Sequence, residues 1–205
     1  MNSLLGLFKF GEKVVKLLGI IGSPRKDGNT EFIIKEVLKA GEQEGAEIEM
    51  ISLVDYNLKP CNACRACFET KNCVIKDDAE KLFKKMTEAD GIIIGSPVYF
   101  GNISAQTKIF IDRIGYLNIA RERKPFRNKI GGAVAVARRS GLTNALSQIL
   151  LFLASARMTT VAPAVMTLAR EKGDAIKDTE GIEQARELGK SMVQIAKATA
   201  SLRGV

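Results

Sequence analysis

The sequence predicts one doubly wound α/β domain built on a parallel sheet. Three observations carry that expectation. Apolar runs of strand length alternate with segments of helical periodicity over the whole chain. The length of 205 residues fits one domain, or two at most. Neither an internal repeat, nor a low-complexity tract, nor a linker interrupts the alternation, so residues 1–205 read as a single domain.

The elements follow in order. Val14–Gly22 is apolar, contains Ile20 and Ile21, and ends at a glycine, as a buried strand does. Ser23–Asn29 is a loop of turn formers, and Thr30–Glu44 has helical spacing through Ile33, Ile34, Val37 and Leu38. Gly45 closes that helix. Ala46–Leu53 alternates, with Ile48, Met50 and Ser52 on one face, as a strand near a sheet edge would. A helix over Asp78–Thr87 precedes the strand Gly91–Gly95 and its three isoleucines. Ser96–Asn102 reads as a loop, Ser104–Ile114 as a helix, and Ile130–Ala137 as a third buried strand. Gly141–Arg157 is an apolar helix, and its stretch Leu146–Leu153 is either an interface or monomer core. Thr159–Thr167 is a last strand interrupted by Pro163, and Thr179–Ser201 is a closing amphipathic helix. Val54–Asp77 stands apart: it is long and lacks periodicity, which in a compact domain points to function.

Composition narrows the chemistry. Histidine is absent, which removes Ser-His-Asp and Cys-His catalysis and every histidine-ligated metal. Reactivity must then come largely from a cofactor. The formal net charge of +8 suits an acidic partner or an anionic cofactor, but no nucleic-acid-binding motif accompanies it. The basic stretch Arg121–Lys129 is a solvated loop or a docking surface for an acidic electron carrier. No apolar run approaches the roughly 20 residues of a membrane span. The segment Met1–Lys13 has Lys9 inside its apolar residues and no small-residue cleavage site, so it does not read as a signal peptide. A cytoplasmic protein without a membrane partner is expected.

All four cysteines lie in the aperiodic stretch, as Cys61, Cys64, Cys67 and Cys73, with spacing C-x2-C-x2-C-x5-C. A disulfide pair fits poorly with a chain of this size that lacks secretory signals. Structural zinc favours two cysteine pairs separated by a longer spacer. Three cysteines at strict three-residue intervals with a fourth nearby are closer to a ferredoxin run, and favour a 4Fe–4S cluster. The gap of five residues and the absence of proline after Cys73 set it apart from a two-cluster ferredoxin.

A second constellation, Gly22-Ser23-Pro24-Arg25-Lys26-Asp27-Gly28-Asn29-Thr30, joins the first strand to the first helix. In a doubly wound sheet this is where ligands bind. Gly28 allows a tight turn, the helix start offers free N–H groups, Ser23, Asn29 and Thr30 add polar donors, and Arg25 can grip a phosphate. A plain turn with Asn29 or Thr30 as N-cap is the alternative. Neither G-x-G-x-x-G nor a Walker A loop is present, so a phosphomonoester such as that of FMN fits better than a dinucleotide. Ser96, Pro97, Val98, Tyr99, Phe100, Gly101 and Asn102 follow the central strand on the same sheet edge, their aromatics bordering a flat ring or anchoring the core. Arg138, Arg139, Ser140 and Gly141 form a third loop there.

Together GSPRKDGNT, SPVYFGNI and the cysteine run resemble the iron–sulfur flavoproteins, a branch of the NADPH-dependent FMN reductase group. The resemblance covers Lys16–Ser201. It implies a flavodoxin-like, five-stranded parallel sheet in order 2-1-3-4-5, with residues 54–77 as a cluster loop inserted after strand 2. It implies FMN phosphate held by Ser23, Arg25, Asn29 and Thr30, an isoalloxazine lined by Pro97–Asn102, and a cluster on Cys61, Cys64, Cys67 and Cys73. Arg139-Ser140-Gly141-Leu142-Thr143 stands where many relatives carry a GGQET-type loop. A homodimer or homotetramer is implied. The expected activity is electron transfer between a ferredoxin-like one-electron carrier and FMN, passed to an acceptor such as oxygen or peroxide. Its rivals are an NAD(P)H-dependent FMN or quinone reductase with a zinc-bound loop, and a non-enzymatic flavin-binding redox sensor.

Overall fold

The unbroken isoleucine run is explained by where its side chains go. Ile92 and Ile94 enter one hydrophobic cluster and Ile93 the other, so the strand is buried on both faces. The same split recurs in the first strand, where Leu18 and Ile20 face one way and Leu17 and Ile21 the other. The computed structural model describes residues 14–203. The leading segment, read above for a signal peptide, lies outside the described residues.

The chain runs β1 (Lys16–Ile21), α1 (Asn29–Gln43), β2 (Glu47–Ser52), a short α2 (Ala66–Thr70), α3 (Ala79–Glu88), β3 (Gly91–Tyr99), β4 (Asn102–Ile103) and α4 (Ala105–Ala120). It continues through β5 (Ile130–Ala137), α5 (Leu142–Ser155), β6 (Thr159–Thr160), β7 (Val165–Leu168) and α6 (Thr179–Ala198). The strands β2, β1, β3 and β5 lie side by side in parallel, and β6 and β7 share the place beyond β5. This is the expected order 2-1-3-4-5. Its last position is split because Pro163, which has no N–H to give a ladder, lies between β6 and β7. The outer edge there is blunted by α6: Asp178 Oδ2 accepts the Leu168 N–H at 3.0 Å.

Helices α3, α4 and α5 cover one face through Leu82, Phe110 and Ile149, and α1 and α6 cover the other through Ile34, Val37, Leu188 and Met192. Most of the apolar excess on α5 is spent inside the monomer, for Leu146, Ile149, Phe152 and Leu153 are buried while Leu151 faces solvent. The crossing of α1 and α6 is close enough that a Cβ on Gly189 would lie 2.1 Å from the Val37 carbonyl oxygen.

One local expectation is refined and another corrected. In β2 each face carries one inward contact: Met50 packs partly buried on one cluster and Ile51 is buried in the other, while Ile48, Glu47 and Glu49 are exposed, as at a sheet edge. Ser96–Tyr99 is not loop but the end of β3, which turns at Phe100 and Gly101 and pairs back as β4 through Val98 with Ile103 and Tyr99 with Asn102. Both turn residues have positive φ, +48° and +79°. That suits the twist of a two-residue hairpin, and Phe100 is a bulky residue in a conformation normally left to glycine or asparagine.

One buried polar knot ties these pieces together. Gly22, at the end of β1, donates its N–H to the Gly95 carbonyl of β3 at 2.7 Å, and its own carbonyl accepts the Ser104 hydroxyl at 2.6 Å. Ser96 Oγ accepts the Ser104 N–H at 3.0 Å and the Thr107 hydroxyl at 3.1 Å, and donates to the Pro97 carbonyl at 2.9 Å. Ser104 also caps α4 by accepting the Thr107 N–H at 3.2 Å. A Cβ on Gly22 would stand 1.9 Å from Thr107 Oγ1, so only glycine lets β1 pass.

Two stability predictions follow. Gly189→Ala overpacks the α1–α6 crossing and should cost about 1–3 kcal/mol, lowering Tm by several degrees in thermal denaturation; an unchanged Tm contradicts the close crossing. Gly22→Ala should destabilise at least as much. Adding Thr107→Ala should restore part of that loss, because it removes the hydroxyl that the new methyl strikes, and strictly additive effects in the double-mutant cycle would refute the clash.

Candidate functional site

The loops after β1, β3, β5 and β7 meet at the carboxyl edge of the sheet around a cleft of about 240 Å³. At its polar end α1 begins without a side-chain cap, since the N-cap position is Gly28. The first N–H groups of that helix are therefore left for a ligand, at the positive end of its dipole. Arg25, Arg138, Arg170 and Lys172 also line the cleft, with Glu171 the one acidic side chain among its lining residues. None of these four cations forms an ion pair among the described residues. Glu31 stays out of the way. Burial works to raise its pKa, but the Lys35 ammonium and the Asp27 N–H hold the carboxyl below its ordinary range, and its oxygens are bound to those two groups.

The expected phosphate residues divide by role. Arg25, Gly28, Asn29 and Thr30 border the cleft, and so does Ser23. Ser23 is nearly buried and its Oγ accepts the Arg25 N–H at 3.1 Å, so it shapes the turn. The Asn29 side chain is largely committed elsewhere. It donates to the Glu171 carbonyl at 2.8 Å and accepts the N–H groups of Gly173 at 2.9 Å and Ala175 at 3.2 Å. Asn29 thus pins the loop after β7 over the helix start, leaving its backbone N–H for a ligand.

On the opposite side Pro97, Val98 and Tyr99 line the cleft, as does Arg138. Ser96 does not reach it, being fully buried in the hydroxyl knot. Phe100 projects wholly into solvent at the hairpin tip. Asn102 Oδ1 is engaged by the Ile103 N–H at 2.7 Å and by Gln148 Nε2. Ser140 is exposed, and Gly141, with φ +90°, sits so close that an added Cβ would come within 2.9 Å of Gly101 Cα. Gly101 and Gly141 therefore let two loops touch rather than line the cleft themselves. Ala169, Arg170, Glu171 and Lys172 were not foreseen. Their signal was positional: a loop after the last parallel strand lies on the same ligand-binding edge as the others.

The four cysteines come together in a second cavity. Cys61, Cys64, Cys67 and Cys73 all line one narrow space of about 20 Å³, walled by Val74, Arg113, Tyr116 and Leu117. None is in a disulfide; Cys67 is buried and Cys64 exposed. Sharp backbone turns bring the sulfurs around, with Ala63, Arg65 and Lys71 at φ +56°, +63° and +60°. Burial pushes the Cys67 thiol up, and the neighbouring Cys73, Cys61 and Cys64 add to that shift. No group of three or more His, Cys, Asp or Glu among the described residues is arranged to ligate a single metal ion. Four sulfur donors around an apolar hollow do match the donor chemistry of a thiolate-held cluster.

The return arm of this loop is held by a buried ion pair. The Arg113 guanidinium, from α4, donates two bonds to Asp77, one to the Lys59 carbonyl at 2.6 Å and one to Cys73 Sγ at 3.3 Å. Burial would raise the Asp77 pKa, but Arg113 and the N–H groups of Lys59 and Ala79 hold it below the usual carboxylate range. Cys73 N–H is also bound by Glu80 Oε1 at 2.8 Å, and Glu80 is paired with Arg121. Much of the basic stretch 121–129 is consumed in this way: Arg121 is tied to Glu80 and Asn72, Arg123 bonds the Ser155 carbonyl, Lys124 pairs with Glu122, and Lys129 bonds the Thr87 carbonyl. The two cavities share no lining residue, but α4 touches both surroundings, capped inside the knot at one end and walling the cysteines in its middle.

Comparison with known proteins agrees with this arrangement. Residues 15–172 match the NADPH-dependent FMN reductase family. An iron-sulfur flavoprotein of Methanocaldococcus jannaschii is 43% identical over 192 residues, covering 89% of this chain and 98% of its own. One of Archaeoglobus fulgidus is 35% identical over 206 residues, covering 92% and 99%. Among solved structures, RosB with bound 8-demethyl-8-formylriboflavin-5'-phosphate superposes with a TM-score of 0.75 at 16% identity, over 93% of this chain and 82% of RosB, a likeness of fold. No helix among the described residues is long and apolar enough to cross a membrane. The chain belongs to the iron–sulfur flavoproteins, within the NADPH-dependent FMN reductase family.

Proposed function

We propose that this chain carries FMN in the basic cleft and a 4Fe–4S cluster on Cys61, Cys64, Cys67 and Cys73, and that it passes electrons from a ferredoxin-like one-electron carrier to a further acceptor such as oxygen or peroxide. The observation that carries the reading is the pairing of two sites in one fold: an uncapped helix start ringed by cations, and four sulfurs around one hollow. When bound, FMN supplies one- or two-electron chemistry and the cluster one-electron exchange. The residues do the rest. Arg25, Arg170 and Lys172 balance a phosphate dianion, the N–H groups of Asn29 and Thr30 receive it, and Pro97, Val98 and Tyr99 bear on a flat ring. Leu117 and Val74 give the sulfur cavity apolar walls. A homodimer or homotetramer is the expected assembly.

Anaerobically prepared protein should contain about four irons with matching acid-labile sulfide, and one FMN per chain. Zinc without sulfide would refute the cluster and favour the reductase with a zinc-bound loop. Cys67→Ala should lose the iron and sulfide while retaining FMN, because the cavities have separate walls; loss of both together would contradict that separation. Arg170→Ala should weaken FMN binding roughly 10- to 100-fold, the effect of one charge-assisted hydrogen bond. Quenching of flavin fluorescence on titration measures it, and wild-type affinity in the variant places the phosphate elsewhere.

A further inference from the structure

Arg113 is the largest fully buried side chain among the described residues, and it sits where an arginine is expensive to bury. Its Asp77 partner is equally buried, the two side chains being 1% and 0% exposed. Were the pair only a staple for the loop, the fork would be satisfied by the carboxylate and the Lys59 carbonyl. Instead one guanidinium nitrogen is shared between Asp77 Oδ1 at 2.8 Å and Cys73 Sγ at 3.3 Å. The positive end of a buried Asp–Arg dipole is thus turned toward one sulfur of the cysteine cavity, and Arg113 lines that cavity directly.

We propose that Arg113 is a positioning residue that sets the reduction potential of the group held by the four cysteines, with Asp77 attenuating its charge. The inference rests on the cluster reading above. Adding one electron from a one-electron donor makes the thiolate-held group more negative by one charge, and no bond is made or broken in the protein. A fixed cation in hydrogen-bond contact with a ligating sulfur stabilises that added charge and raises the potential. Because the pair is buried, salt screens it little, so the effect persists at physiological ionic strength. Cys61, Cys64 and Cys67 have no comparable side-chain donor: among the described residues Cys73 alone receives a hydrogen bond from a guanidinium.

The sign of the effect separates tuning from mere support. Arg113→Gln removes the cation and should lower the midpoint potential, whereas Asp77→Asn keeps the cation, removes its counter-charge and should raise it. Arg113→Lys, which retains the charge, should stay nearer to wild type than Arg113→Gln. Redox titration of the reconstituted full-length protein, followed by EPR of the reduced cluster, reads all three. A tenfold change in the reduced-to-oxidised ratio, about 59 mV for one electron, is expected for Arg113→Gln. Loosening of the loop has no reason to drive the two charge-removing variants in opposite directions. Potentials that do not move, or that move the same way in both, overturn the inference. So does loss of the cluster from both variants, which would make the pair purely structural. If Arg113→Gln alone takes up no iron, Asp77→Asn decides: a raised potential supports the assignment and an unchanged or lowered one refutes it. Absence of iron and sulfide from the wild type itself would instead refute the cluster reading.

Discussion

The arrangement of both sites depends on a small buried knot of hydroxyls between β1, β3 and α4. Ser96, Ser104 and Thr107 lie at or below 1% exposure, and each is satisfied by the others or by the Gly22 and Pro97 carbonyls. Buried polar groups left unpaired are costly, so the only low-energy geometry is the one in which all of them meet. That geometry fixes where β1 ends and where the first cleft loop begins. It also fixes the point from which β3 continues into its hairpin. A methyl group at Gly22 has no room in it.

Through the cap on α4 the same knot reaches the cysteines. Ser104 sets the register of that helix, and the helix in turn carries Arg113, Tyr116 and Leu117 to the sulfur cavity. A strand end, a cleft loop and a charged wall of the second cavity are therefore joined through one hydrogen-bonded unit. The electrostatics differ at its two ends. In the cleft, cations stand open, without an ion-pair partner among the described residues, as suits an exchangeable anionic ligand. At the cysteines the cation is buried and forked onto a carboxylate, which suits a permanent charge distribution around a resident group.

Much of this was legible because it rests on short-range patterns. The two-faced burial of Ile92, Ile93 and Ile94 follows from an apolar run with turns at its ends, and the parallel order follows from strand–helix alternation. The grouping of Cys61, Cys64, Cys67 and Cys73 follows from spacing alone. What was misread involves partners far away in sequence. Asn29 looks like a phosphate donor until Glu171, Gly173 and Ala175 are seen to occupy its side chain. Ser96 has the composition of a ligand loop, and becomes a core residue because Ser104 and Thr107 fold onto it. The basic stretch 121–129 is open to two readings in sequence, a solvated loop or a docking surface, and only the fold shows that Arg121 is engaged by Glu80, a residue some forty positions away.

The layered α/β architecture, the carboxyl-edge location of the cleft loops and the sulfur donor set can all be read from the residue order, since periodicity and spacing act within a few residues. Which polar side chains remain available to a ligand depends on long-range folding. Hydrogen-bond capacity is finite, and a donor's availability depends on whichever acceptor the fold brings to it. The cleft cations of Arg170 and Lys172, the hydroxyl knot beneath the hairpin, and the Arg113 contact to Cys73 all arise in that way, from segments that the chain keeps apart and the sheet brings together.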